Sequence, residues 1–138
     1  MSEVLAEAAR VAGVRLTVLD TCYLQGGVGR DLDDVQRRFS DGSVEAWAER
    51  AAMHRDTELV RFGAAIHSVR AVPRDEIPVV ARWAEQHSAP LHVHLSEQVA
   101  ENAACREAYA ATPTTVLAEA GALGPRTSAV HATHLIDE

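Results

Sequence analysis

The sequence predicts an α/β fold made of successive parallel βα units. Two observations support this prediction. Along the chain, short runs of valine, leucine and isoleucine alternate with segments whose apolar residues recur at helical spacing. The 138 residues are 47% hydrophobic and 24% charged, which is typical of one globular domain. Strand and helix in alternation are typical of right-handed βαβ units, so we expect a parallel sheet.

The first 42 residues contain one helix and one strand. An alanine-rich helix over 3–11 is followed by Gly13, which ends it, and by a strand over 14–22 rich in valine, leucine and threonine. Residues 23–42 combine three glycines before Arg30 with several aspartates and arginines. This composition predicts a long loop, and long loops in α/β proteins often carry function.

The remaining residues continue the alternation. Ser43 predicts the N-cap of a helix over 44–53, and a second strand follows over 59–66. Proline fits only in the first turn of a helix, so Pro73 and Pro78 place the start of the next helix near residue 74. The other expected elements are that helix over 74–87, a strand over 91–95, helices over 99–109 and 113–120, and a strand over 127–132.

Four such units make half of a closed barrel or a small open sheet. Eight strands of a (β/α)8 barrel need about 250 residues, and this chain starts within a helix and stops soon after a strand. We therefore expect residues 1–138 to form part of a TIM-type (β/α)8 barrel domain that is truncated at both ends.

Composition excludes several functional classes. Twenty acidic against 13 basic residues give a net charge of −7, and no positive cluster predicts a nucleic-acid or anionic-membrane surface. No apolar run approaches a membrane span. All 13 basic residues are arginine, so the chain supplies no P-loop lysine, Schiff-base lysine or bridging lysine carbamate. Cys22 and Cys105 lie far apart without a signal peptide, which predicts buried thiols in a reducing cytoplasm rather than a disulfide.

Histidines mark the carboxyl ends of three predicted strands. Five of the seven histidines lie there: His67, His92, His94, His131 and His134. In a parallel barrel this edge is where active sites are built. A single histidine at such a place is usually a hydrogen-bonded core residue, but three consecutive strands that end in histidine predict a metal or catalytic centre.

The pair His92 and His94 is two residues apart on a strand, so both side chains share a face, which in a barrel is the interior. They could be joint metal ligands, or His92, which is deeper, could support His94. Glu97 follows in the next loop. A carboxylate beside a metal-activated water can take its proton and pass it to a leaving nitrogen. The alternative for Glu97 is a charge at the start of helix 99–109.

His131 and His134 are three residues apart, so a strand cannot direct both to one face. We expect His131 to face the same cavity as His94, with Glu97 within reach, and His134 to line the following loop. Arg70, just after the second strand, suits bidentate recognition of a carboxylate with His67 as a second donor. The alternative is a solvated arginine.

Three segments resemble a known family: 67–72 (HSVRAV), 91–98 (LHVHLSEQ) and 130–134 (VHATH). Their order and spacing are similar to those of metal-dependent deaminases of the amidohydrolase superfamily, and to the formimidoylglutamate deiminases in particular. The resemblance covers nearly the whole chain. It implies that the chain spans about strands three to six of the barrel.

The resemblance also implies roles. His94 would bind a metal, usually zinc, Glu97 would shuttle protons, and His131 would orient or polarise the hydrolytic water. His67 and Arg70 would contact a small anionic substrate, N-formimidoyl-L-glutamate. Hydrolysis would give N-formyl-L-glutamate and ammonia, a step of histidine degradation, in a cytoplasmic enzyme that we expect to be a homodimer.

Departures from the family pattern leave alternatives open. The family's His-x-His on strand one and aspartate on strand eight have no counterpart here. We reject His92 and His94 as that strand-one pair, because two predicted strands precede them and no third histidine follows at strand-five distance. The other functional classes are a deaminase of a purine, pyrimidine or triazine ring, and a non-catalytic barrel segment. With so few ligands, we expect the 138-residue chain alone to be inactive.

Overall fold

Four parallel strands form the centre of the molecule in a computed structural model that describes residues 2–136. The order in the sheet is β1-β2-β3-β4, and each strand pairs in parallel with the next. The strands are β1 Leu16–Cys22, β2 Val60–Ile66, β3 Leu91–Leu95 and β4 Thr127–His131. The α/β fold and the parallel order predicted from the sequence are confirmed.

One helix precedes β1, and the others lie between the strands in the predicted order. The helices are α1 Ser2–Ala12, α2 Val44–Ala51, α3 Ile77–Gln86, α4 Val99–Tyr109 and α5 Pro113–Glu119, with a short 3₁₀ helix over Gln36–Phe39 in the long loop. Ser43 caps α2 as predicted, because its side chain accepts a hydrogen bond from the backbone N–H of Ala46.

Two predicted helices are shorter than expected. Helix α3 begins at Ile77 rather than near residue 74, because Pro78 must lie in the first turn and the preceding residues form turns closed on the Pro73 carbonyl oxygen. Helix α2 ends at Ala51 rather than near residue 53. The chain tightens there, since the N–H groups of Met53 and His54 bond to carbonyls three residues back.

The main apolar core lies between the sheet and the helices. It includes the fully buried side chains of Trp47, Ile66, Ile77, Val80, Val93 and Leu117. Along β3, Leu91, Val93 and Leu95 are buried in this core, whereas His92 and His94 are only half-buried. Alternation along the strand therefore places both histidines on the opposite face, which becomes the interior when such a sheet closes into a barrel.

Close strand approach explains the glycine in β2. A Cβ atom at Gly63 would lie 2.8 Å from the carbonyl oxygen of Pro90 and 2.8 Å from its ring. The backbone carbonyl of Pro90 cannot move aside as the end of a flexible side chain can. Only glycine therefore fits where β2 passes the start of β3.

A polar cluster fixes α2 and the following turn to β1. The Asp20 carboxylate, 5% exposed, accepts hydrogen bonds from Arg50 at 2.7 Å and from Nε2 of His54 at 2.7 Å. Arg50 also donates to both carboxylate oxygens of Asp41. The buried charge of Asp20 is thus paired on two sides, as stability requires.

Two expectations from composition agree with the described residues. Cys22 and Cys105 are buried and no disulfide joins them. Among the helices of residues 2–136, none has the length and apolar character needed to cross a membrane.

Candidate active site

Three histidine rings meet at the carboxyl edge of the sheet. His67 follows β2, His94 lies near the end of β3, and His131 is the last residue of β4. The ring centroids of His67 and His94 are 5.0 Å apart, and those of His94 and His131 are 5.3 Å apart. Because β2, β3 and β4 are parallel neighbours, their ends place these side chains side by side, as the sequence predicted.

His94 has a fixed orientation. Its Nδ1 lies 2.8 Å from the backbone carbonyl oxygen of His67. A carbonyl oxygen can only accept, so Nδ1 carries the hydrogen and the lone pair of the neutral ring is on Nε2. Histidines that bind metals are typically oriented in this way, by an N–H donated to a backbone carbonyl or a carboxylate.

His131 reaches the site through an unusual backbone conformation. The register pairs His131 with Leu95, whose side chain is buried in the core. His131 and Ala132 have φ angles of +70° and +50°, in the left-handed region that residues other than glycine seldom adopt. The ring of His131 nevertheless stacks on His94, with 28° between the ring planes. His134 is exposed in the following loop, as expected.

Glu97 lies between His131 and Arg70. One carboxylate oxygen, Oε1, is 3.8 Å from Nε2 of His131, and the other, Oε2, accepts a hydrogen bond from Arg70 at 2.9 Å. The side chains of Glu97 and His131 are 35% and 38% exposed, so the two groups lie on an open rim rather than in a closed cavity. Ser96, with φ of +47°, makes the turn from β3 that brings Glu97 to this position.

Arg70 is bound to carboxylates of its own chain. Besides the hydrogen bond to Glu97, its Nε is 3.8 Å from Oε2 of Glu101. The side chain of Arg70 is 28% exposed, so the solvated arginine considered from the sequence is not what the structure contains. Its predicted contact with a substrate carboxylate stays a prediction.

His67 is neutral at neutral pH. Burial, and then the nearby His94 and Arg70, lower the pKa of His67 to about 4, and Glu97 opposes the shift. The rings of His67 and Tyr23 make an edge-to-face contact, with centroids 4.7 Å apart. Tyr23 was not predicted as a site residue, although its place immediately after β1 matches that of His67 after β2.

Two buried polar residues of α4 were also missed. The Glu101 side chain is fully buried, and its Oε2 accepts a hydrogen bond from the backbone N–H of Glu97 at 3.1 Å. Asn102, 5% exposed, is bonded to Ser96 and to the carbonyl oxygen of His134. The buried Cys105 lies four residues after Glu101 and three after Asn102, so all three side chains share one face of α4. This spacing is the signal from which their burial could have been predicted.

The described residues hold part of a metal site at most. Within residues 2–136 there is no group of three or more histidine, cysteine, aspartate or glutamate side chains arranged to bind a metal ion. A catalytic zinc site normally uses three protein ligands and water. The free Nε2 of His94 fits one of these ligand positions, and the remaining ligands would have to come from elsewhere.

Comparisons with known proteins identify the family of this chain. Residues 2–138 match the model of the amidohydrolase family. The chain is 34% identical over 134 residues to formimidoylglutamate deiminase of Pseudomonas aeruginosa, and 28% identical over 129 residues to 5-methylthioadenosine/S-adenosylhomocysteine deaminase of Lawsonia intracellularis. These alignments cover 94% of this chain but 29% and 28% of the two relatives.

Solved structures show the same fold. An amidohydrolase from Brucella melitensis superimposes with a TM-score of 0.79 at 31% identity, covering 99% of this chain and 31% of that protein. An adenosine deaminase from Xanthomonas campestris with bound zinc superimposes with a TM-score of 0.73 at 24% identity, covering 99% of this chain and 29% of that one. Both neighbours are TIM-barrel proteins, and the four parallel strands here correspond to part of such a barrel. The chain belongs to the amidohydrolase family.

Proposed function

We propose that this chain forms about strands three to six of a metal-dependent deiminase that hydrolyses N-formimidoyl-L-glutamate to N-formyl-L-glutamate and ammonia. The observation that carries the proposal is the convergence of His94, Glu97 and His131, with Arg70 bound to Glu97, at the carboxyl edge of the sheet. Family membership and the 34% identity to formimidoylglutamate deiminase support it.

Each of these side chains has a part in the proposed reaction. Nε2 of His94 would be one ligand of a zinc ion, which as a Lewis acid would lower the pKa of the attacking water. Glu97 accepts the proton of this water while the oxygen adds to the amidine carbon. Glu97 then returns this proton to the terminal nitrogen. It next takes the hydroxyl proton of the adduct and delivers it to the same nitrogen, so the C–N bond breaks, the formyl C=O bond forms and ammonia leaves. His131, 3.8 Å from Glu97, hydrogen-bonds the water or the developing oxyanion.

Arg70 and His67 supply the substrate contacts. A guanidinium has five N–H donors in a planar fork, and in Arg70 one of them is bonded to Glu97. Its remaining terminal donors can take a substrate carboxylate while the bond to Glu97 persists. Neutral His67 adds an imidazole donor or acceptor beside them.

A second candidate is hydrolytic deamination of a purine nucleoside. The observation that favours it is that the guanidinium of Arg70 is bonded to Glu97 and lies close to Glu101. Arg70 thus already interacts with carboxylates of the protein itself. An uncharged ring substrate would not compete with those carboxylates. The relative from Lawsonia intracellularis is named as a deaminase of this kind.

The test needs a complete barrel, by which we mean these 138 residues together with the other βα units. The complete barrel can be the natural longer polypeptide, or a chimera in which these 138 residues replace the matching segment of the Pseudomonas aeruginosa relative. Ammonia release is measured with zinc present, from N-formimidoyl-L-glutamate and from 5-methylthioadenosine. We expect turnover of the first substrate. Turnover of the nucleoside alone would favour the second candidate, and release from neither would contradict both.

A further inference from the structure

Asn102 joins two segments that are distant in sequence. Its Oδ1 accepts a hydrogen bond from the hydroxyl of Ser96 at 3.0 Å, and its Nδ2 donates to the carbonyl oxygen of His134 at 2.7 Å. Ser96 immediately precedes Glu97, and His134 follows His131 in the loop after β4. The carboxamide of Asn102 therefore connects the turn that carries Glu97 with the loop that carries His131.

Both connected segments have a strained backbone. Ser96, His131 and Ala132 have φ angles of +47°, +70° and +50°. Such conformations persist only where the surroundings hold them. Backbone hydrogen bonds from Ala132 to Leu95 and from His134 to Ser96, together with the amide of Asn102, hold the loop after β4 to its neighbours.

Glu97 has restraints that do not involve Asn102. Its backbone N–H is bonded to Glu101, and its carboxylate is bonded to Arg70. The carbonyl oxygen of His134, in the loop of His131, accepts its side-chain hydrogen bond from Asn102. Loss of the Asn102 amide should thus move His131 and leave Glu97 in place.

We propose that Asn102 is a positioning residue, which sets the separation of His131 from Glu97 through the loop after β4. This inference rests on the proposed function in so far as His131 and Glu97 act together in hydrolysis. Its chemical basis is independent of that function. A buried carboxamide with both polar groups satisfied is a rigid connector, since leaving either partner unpaired in the interior is costly.

The decisive variant is Asn102→Asp in the complete barrel. Aspartate keeps an acceptor for Ser96 but replaces the donor to His134 with an oxygen that faces the carbonyl. We expect kcat to fall 10- to 100-fold, in line with the cost of a misplacement of about 1 Å. KM should stay within about twofold, because Arg70 and His67 are untouched.

The control is Thr127→Val at the other end of β4. The Thr127 hydroxyl donates to the carbonyl oxygen of Ala122 at 2.7 Å, so this variant also removes a side-chain hydrogen bond of β4, away from the site. Its kcat should remain that of the unmodified barrel. An equal fall of kcat in both variants would mean that Asn102 has only a structural role, and would overturn the proposal.

A structural measurement separates this inference from the proposed function. A crystal structure of metal-free Asn102→Asp should show the His131–Glu97 distance longer than in the unmodified protein, with Glu97 still bonded to Arg70. If the unmodified barrel deaminates nothing, this comparison still decides the role of Asn102. An unchanged distance would overturn it. Should Asn102→Asp fail to fold, Asn102→Ala removes the donor to His134 without adding a charge; the His131–Glu97 distance should again be longer and kcat lower, and an unchanged distance would overturn the proposal.

Discussion

The imidazole rings of His94 and His131 stack with centroids 5.3 Å apart, although the strand register pairs His131 with Leu95 and not with His94. Simple alternation along β4 would turn His131 towards the core side of the sheet, where Leu95 is buried. The left-handed backbone at His131 redirects the ring to the site. The local strain thus coincides with the place where catalysis is proposed.

Replacing Glu97 with glutamine in the complete barrel should lower turnover by roughly 10² to 10⁴-fold, the range for general acid–base residues. Zinc content should not change, since the carboxylate bonds to Arg70 and approaches His131. Ammonia release and metal analysis check this. Glu107→Gln, an exposed glutamate of α4, is the matched control and should retain activity. Loss of zinc together with activity would instead identify Glu97 as a metal ligand.

Replacing Arg70 with alanine should lower kcat/KM for N-formimidoyl-L-glutamate by about 10 to 150-fold, which corresponds to the loss of a charged hydrogen bond worth roughly 1.5 to 3 kcal/mol. The assay is repeated with Arg74→Ala, which removes an exposed arginine paired with Glu119. That control should behave as the unmodified barrel. An unchanged kcat/KM for Arg70→Ala would exclude Arg70 from substrate binding and favour the purine deaminase.

The 138-residue chain alone should release no ammonia from N-formimidoyl-L-glutamate, even with added zinc. His94 offers one suitable ligand where about three are needed, and the edges of β1 and β4 are unpaired in the described sheet. Assay beside the complete barrel, with sedimentation to detect association, tests this expectation. Turnover comparable to the complete barrel would show that the chain holds a sufficient site.

Ala110→Gly should stabilise the complete barrel by about 0.5 to 1 kcal/mol. Ala110 ends α4 in the left-handed region, with φ of +52°, where glycine avoids the steric cost of a Cβ but loses more chain entropy. The free energy of unfolding is compared with that of Ala108→Gly, an exposed position inside α4. The control should be destabilised by about 1 kcal/mol. Equal losses would contradict the interpretation.

The thiol of Cys22 should resist alkylation in the folded protein at pH 8. Burial, and then the negative charges of Glu76 and Asp41, raise the pKa of Cys22 from 9.0 to about 12. Iodoacetamide reacts with the thiolate, so labelling followed by peptide mapping should be fast in urea and slow without it. Fast labelling of the folded protein would contradict this.

The same shift has a defined effect on stability. Because the folded-state pKa is raised above the unfolded value, the contribution of Cys22 is fully present below pH 9 and is lost as the pH rises towards about 12. Between pH 9 and about 12, the free energy of unfolding should therefore fall less in Cys22→Ala than in the unmodified protein.

Much of the fold could be predicted from local signals. The bounds of β3 and α4 agree with the predicted segments 91–95 and 99–109, because apolar alternation and helical spacing are properties of neighbouring residues. Histidines at the ends of β2, β3 and β4 could be assigned to one edge for the same reason. Parallel strands bring their carboxyl ends together whatever the remaining sequence is.

The tertiary structure alone decided which groups these side chains contact. Pairing of Arg70 with Glu97 joins residues 27 positions apart, and the Asn102 bond to His134 joins residues 32 positions apart. Such contacts depend on how α4 and the segments after β2, β3 and β4 are arranged in space, which no local pattern encodes. The sequence by itself determined the order of the βα units and the edge that carries the histidines. Packing determined which donor meets which acceptor, because buried polar groups take their partners from whatever the fold brings within reach.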